Sequence, residues 1–152
     1  QFTLPSGPKK GIVLNLADMR IFYYHPDETT VSTYPVGVGR SGWSTPRGTT
    51  SIISKEKNPA WHPPESIRKE AARSGKKLPL VVPAGPHNPL GHYAMHLGFS
   101  GILIHGTTQP TSIGRYSSHG CIRLYNPDIK ELFYMVPIGT VVRVVYEPHE
   151  HE

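Results

Sequence analysis

A mainly β fold, a sheet rolled or sandwiched into a barrel-like body with two short accessory helices, is predicted by three features of this sequence. Sixteen prolines and fifteen glycines are spread along the 152 residues rather than run together, which marks frequent turns between short segments. About eight runs have the β-branched and aromatic character of strands, and helical signals appear in two places. The chain is 37% hydrophobic, enough for one core, so residues 1–152 are expected to form a single domain, its core at about 11–147 and a polar tail over 148–152.

The elements follow in order. "GIVLNL" from Gly11, a short turn and "MRIFYYH" from Met19 read as two strands close enough to pair as a hairpin. "TTVSTYPVGVG" continues the strand character to Gly39, and "GTTSIISKE" from Gly48 reads as the next strand. "HPPESIRKEAARSG" is the first helix, with prolines at its start and Gly75 as its stop. Residues 78–91, punctuated by proline, are expected to be a surface loop near a cleft. "HYAMHLG" and "GILIHG" are strands. In "NPDIKELFYMV" Asn126 is expected to cap a short helix with Pro127 at its first position, and "TVVRVVYE" is the closing strand.

Charge narrows the partners. Sixteen Lys and Arg against eleven Asp and Glu give +5, which favours an anionic partner or a solubilising surface. The basic residues are scattered and no nucleic-acid motif accompanies them, so nucleic acid is not the expected partner. No apolar run reaches about eighteen residues, so no membrane-spanning helix is expected. The chain starts at Gln1 without a charged-then-apolar leader and reads as the mature or trimmed part of a longer precursor.

The chemistry concentrates in "RYSSHGCIRL", which holds the one cysteine. Cys121 has no intramolecular disulfide partner, leaving three roles: a small buried hydrophobe, a metal ligand or a reactive thiol. Gly120 permits a tight turn, and His119 and Arg123 make the surroundings electropositive, which favours thiolate. A thiol needs a base. His25, His62 and His87 lie in loop-like sequence; His92 and His96 either line a cleft or face solvent; His149 and His151 belong to the tail. His105 ends an apolar strand where the backbone turns at Gly106, a placement suited to a fixed general base, and Cys121 follows sixteen positions on, after a Thr/Ser/Gly-rich loop able to fold back.

"IHGT" at 104–107 with "SSHGCIRLYNPDIKEL" at 117–132 resembles the signature of the L,D-transpeptidases of bacterial cell walls, the YkuD family. "GIVLNLADMRIFYY", Thr45-Pro46-Arg47-Gly48 and "VPAGPHNPLG" are similar to the periplasmic ErfK/YbiS/YnhG group. The resemblance implies a periplasmic enzyme acting on peptidoglycan stem peptides without a metal or other cofactor. Cys121 would attack the carbonyl between meso-diaminopimelate and D-alanine, form a thioester, and pass the acyl group to an amine of another stem or to an outer-membrane lipoprotein lysine. It further implies His105 as base, oriented by the Gly106 carbonyl, with the N–H groups of Gly120 and Cys121 as oxyanion donors. Arg123, His119, Ser118, Tyr93 and Tyr116 are the expected substrate contacts, Arg123 for a carboxylate. Three rivals stand beside it: hydrolysis of the same thioester by water, a non-catalytic wall-binding domain, and a zinc site of His105, His119 and Cys121.

Overall fold

The computed structural model describes residues 2–148, so the tail histidines His149 and His151 lie outside the described residues. Ten strands and two helices follow one another as β1 (Gly11–Asn15), β2 (Arg20–Tyr24), β3 (Val31–Pro35), β4 (Val38–Gly39), β5 (Gly48–Lys57), α1 (Glu65–Arg73), β6 (Tyr93–Leu97), β7 (Leu103–His105), β8 (Tyr116–Ser118), β9 (Ile122–Arg123), α2 (Asn126–Met135) and β10 (Val141–Val145). Eight strands form one sheet in the order β3-β2-β1-β10-β5-β6-β7-β9, and β4 pairs with β8 separately. The seven strand runs named from the sequence become ten because the run to Gly39 breaks at Val36–Gly37 and because two short strands, β8 and β9, flank the cysteine.

The sheet curls until its two edges meet. Just past β3, Gly37 exchanges two backbone hydrogen bonds with Arg123 on the opposite edge strand, at 2.8 and 2.9 Å. Within the sheet, β5 pairs with β10 over its first half and with β6 over its second, with a register irregularity between Ile52 and Ser54. An irregularity of this kind bends the strand that carries it.

The core explains the sequence pattern. β1 lies between β2 and the parallel strand β10 and is buried throughout, which is why "GIVLN" does not alternate with polar residues. Its Ile12 and Leu14 join the main core, whereas Val13 faces a second cluster with Phe22 and Tyr24. Helix α2 buries Ile129, Leu132 and Phe133, a stripe at helical spacing, and Lys55 from β5 donates to the Phe133 and Val136 carbonyls at 2.6 and 2.9 Å. A cation there satisfies otherwise orphaned acceptors at the helix C-terminus.

The expected cap of α2 shifts by one residue. Tyr125 is the N-cap and Asn126 is already helical, with the Asp128 and Ile129 N–H groups both donating to the Tyr125 carbonyl at 3.0 Å. The Asn126 amide turns outward instead and clamps Thr107, accepting from its N–H and donating to its carbonyl, each at 3.0 Å. That clamp fixes the chain just after His105.

Candidate active site

Register places the candidate side chains. β7 and β9 are parallel, with His105 opposite Arg123 and Ile104 opposite Ile122. Side chains alternate across a strand, so Ile104 and Ile122 enter the core while His105, Arg123 and the residues two positions before each share the other face. Those residues are Leu103 and Cys121. Geometry alone puts the Cys121 and His105 backbones about 8 Å apart, one strand over and two residues along, within joint reach of their side chains. Both line a cleft of about 590 Å³, together with Arg123, His119, Leu103, His96, Glu56 and the indoles of Trp43 and Trp61.

His105 is 4% exposed and its Nδ1 bonds the Gly106 carbonyl. A carbonyl only accepts, so Nδ1 carries the hydrogen and the neutral ring keeps its free lone pair on Nε2. Burial pushes the imidazole down to about 4, opposed by the Gly106 bond and assisted by the nearby Arg123 charge. The Cys121 thiol is pushed up by burial, a shift countered by the Leu103 N–H and the Arg123 charge. Leu103 N–H donates to Sγ at 3.4 Å, and the thiol itself donates to the Gly101 carbonyl at 3.5 Å. Burial thus disfavours the charged form of both groups, the thiolate of Cys121 and the imidazolium of His105.

Gly106 has no room for a side chain, because a Cβ there would fall 2.3 Å from Asn126 Oδ1. Gly120 turns the chain at φ +111°, a conformation that side chains rarely adopt. Its N–H donates to Ser118 Oγ at 3.2 Å, so of the two expected oxyanion donors the Cys121 N–H alone has no described partner.

The other expected contacts divide. Arg123 lines the cleft and makes no ion pair with a described carboxylate. Ser118 also lies at the cleft, but its buried hydroxyl donates to the Cys121 carbonyl at 2.6 Å and so braces the turn. His119 packs edge-on to Trp43 at 4.8 Å, with Nε2 2.8 Å from Glu70 of α1, and Arg40 joins the same carboxylate at 2.6 Å. Two tyrosines do not belong to the cleft. Tyr93 precedes Ala94, which pairs with His105, so alternation sends it to the opposite face, against Phe133 and Tyr134 and into a separate cavity with Lys57 and His92. Tyr116 is half exposed, its hydroxyl 3.4 Å from the Leu16 carbonyl. Among the described residues, no three His, Cys, Asp or Glu side chains gather as a metal-holding group.

Sequence reasoning missed the two tryptophans, the Asn126 clamp and the Glu56–His96 pair. Only the Asn126 clamp carried a local signal, its position inside the recognised motif; the others come from segments remote in sequence. A thiol and an imidazole on adjacent parallel strands, at the rim of a curled sheet, define a class of β protein with a Cys–His cleft. Within that class the comparisons are specific: residues 9–144 match the model of the YkuD L,D-transpeptidase catalytic domain, and the chain belongs to that family. It is 47% identical over 149 residues to the probable L,D-transpeptidase ErfK/SrfK of Escherichia coli strain K12, covering 97% of this chain and 48% of that protein. It is 45% identical to the probable L,D-transpeptidase YbiS of the same strain, with the same coverage. The chain thus spans about half the length of these curated relatives. A Cys-to-Ser mutant of the Enterococcus faecium L,D-transpeptidase superposes with a TM-score of 0.68 at 25% identity, covering 90% of this chain and 50% of that one.

Proposed function

We propose that this domain is a peptidoglycan L,D-transpeptidase that works through a thioester on Cys121. The carrying observation is the shared face of β7 and β9, which puts a neutral imidazole with a free Nε2 in reach of the thiol inside one cleft. As Cys121 Sγ attacks the diaminopimelate carbonyl, its proton passes to His105 Nε2. Collapse of the tetrahedral intermediate breaks the carbon–nitrogen bond, and the imidazolium returns the proton to the departing D-alanine amine. An acceptor amine then attacks the thioester carbonyl, gives its proton to the imidazole and releases the thiol. The developing oxyanion draws on the Cys121 N–H, and Arg123 offers a fork-shaped cation to a stem carboxylate. The family and the similarity to ErfK/SrfK and YbiS support a periplasmic site of action.

Incubation with tetrapeptide muropeptides, read by mass spectrometry, tests the reading. The wild-type protein is expected to gain the mass of the acyl-enzyme and release D-alanine, and the Cys121→Ala variant to do neither. Products then assign the acceptor: joined stems, a stem on a lipoprotein-type lysine peptide, or a trimmed stem. An unmodified cysteine in the wild-type protein, with all substrate intact, overturns the proposal.

A further inference from the structure

The floor of the cleft carries opposite charges at the two ends of a single cross-strand row. Arg123 on β9 stands opposite His105 on β7, His105 opposite Ala94 on β6, and Ala94 opposite Glu56 on β5. Directly opposed residues share a face, so Arg123, His105 and Glu56 point the same way, and all three line the cleft. Three strand spacings separate the ends, about 14 Å between backbones, with only the methyl group of Ala94 between the imidazole and the carboxylate.

Glu56 is the one acidic side chain among the described lining residues. Its side chain is 52% exposed; Oε1 meets His96 Nε2 at 2.9 Å, and Oε2 has no described hydrogen-bond partner. Glu70, the other carboxylate nearby, already serves Arg40 and His119. The next row of the floor runs from Cys121 past Leu103 to His96, so the Glu56 partner itself stands in the row of the reactive sulfur.

We propose that Glu56 is an ammonium-binding subsite of this cleft, taking a free amine of a diaminopimelate-type stem while Arg123 takes a carboxylate at the other end of the row. The chemistry is complementary: a carboxylate with one oxygen unpartnered among the described residues accepts charge-assisted hydrogen bonds from an ammonium group, and a guanidinium with no described carboxylate partner suits a carboxylate. A donor whose diaminopimelate side chain carries its free amine toward Glu56, while a separate carboxylate of the same stem faces Arg123, satisfies both and sets the scissile carbonyl over Cys121. This inference rests on the L,D-transpeptidase reading.

The test compares Glu56→Gln with wild type on two donor tetrapeptides, one with its diaminopimelate amine free and one with that amine acetylated. The rate of Cys121 acylation is followed by intact mass at increasing donor concentration without an acceptor. The expected result is a half-saturation concentration about tenfold higher for Glu56→Gln with the free-amine donor, and a much smaller difference with the acetylated donor. Glu56→Asp, which keeps the charge, recovers most of the loss. No change with the free-amine donor together with a raised half-saturation concentration for an acceptor tripeptide overturns the donor assignment and gives the ammonium to the acceptor. Equal losses on both donors, or no loss for either donor or acceptor, overturn the Glu56 assignment while leaving the enzyme reading intact. Failure of the wild-type protein to acylate overturns both.

Discussion

The cleft has a floor and a roof of different construction. The floor is the strip β5-β6-β7-β9, whose reverse side is Met95, Ile104 and Ile122, each essentially inaccessible to water. The roof is the 58–92 segment, which contributes Trp61, His62, Pro64, Ser66, Ile67, Pro89 and Leu90 to the lining. Its helix α1 buries no residue at all. Two devices hold the roof down. One is Asn88, fully buried, whose amide donates to the Pro59, Val82 and Pro83 carbonyls and accepts from the Leu90 N–H. The other is the Glu70 carboxylate gripping Arg40 and His119. The contrast teaches where precision is needed: under the proposed function, proton transfer would depend on a few tenths of an ångström and sits on packed strands, whereas substrate entry would tolerate a loosely anchored cover.

Four changes test that contrast, from the largest expected effect to the smallest. Gly106→Ala strikes the floor where a Cβ meets Asn126 Oδ1, so it displaces the clamp and the carbonyl that orients His105. Acylation should fall by about 100-fold, measured by intact mass, with donor half-saturation little changed. A pH titration reads the same buried ring. Because its folded value lies at about 4 against 6.5 for an exposed imidazole, the unfolded chain takes up the proton first as pH falls. The stability owed to the neutral ring is whole above 6.5, declines between 6.5 and 4, and amounts to about 3 kcal/mol. Denaturant midpoints across that window should show the decline, and acylation should hold down to about pH 4; a limb near 6.5 would contradict the buried base.

Asn88→Ala removes four hydrogen bonds from the roof and should cost about 1–3 kcal/mol. Hydrogen exchange should quicken within 58–92 and leave β7 and β9 protected. Glu70→Gln is the mildest. The carboxylate lies at the surface, held below its usual range chiefly by the His119 hydrogen bond, so the thermal midpoint should barely move. The expected sign is faster exchange in α1 alone; equal acceleration in the floor would merge the two regions into one cooperative unit.

Much of this site was legible from the letters. Cys121, His105, Gly106 and Arg123 lie in short contiguous motifs, and their types point to the proposed chemistry before any fold is known. The Gly106 carbonyl acceptor, expected by resemblance, matches the observed bond. Tyr93 and Tyr116 were misplaced because a strand sequence gives two faces and does not say which is wet. Asn before Pro has the local signature of a cap, but a tertiary partner, Thr107, claims the Asn126 amide instead. Glu56, His96 and Trp61 carry no motif; their nearness to the sulfur follows from pairing between β5, β6 and β7.

Sequence by itself determined the candidate reactive groups, the glycines their turns require and the strand-rich architecture, because each is encoded by local conformational preference and side-chain chemistry. Tertiary structure alone decided which residues share the cleft. Alternation fixes a side chain only relative to its own neighbours, and the common direction of Cys121, His105, Arg123 and Glu56 exists only once strands distant in the chain have settled their register.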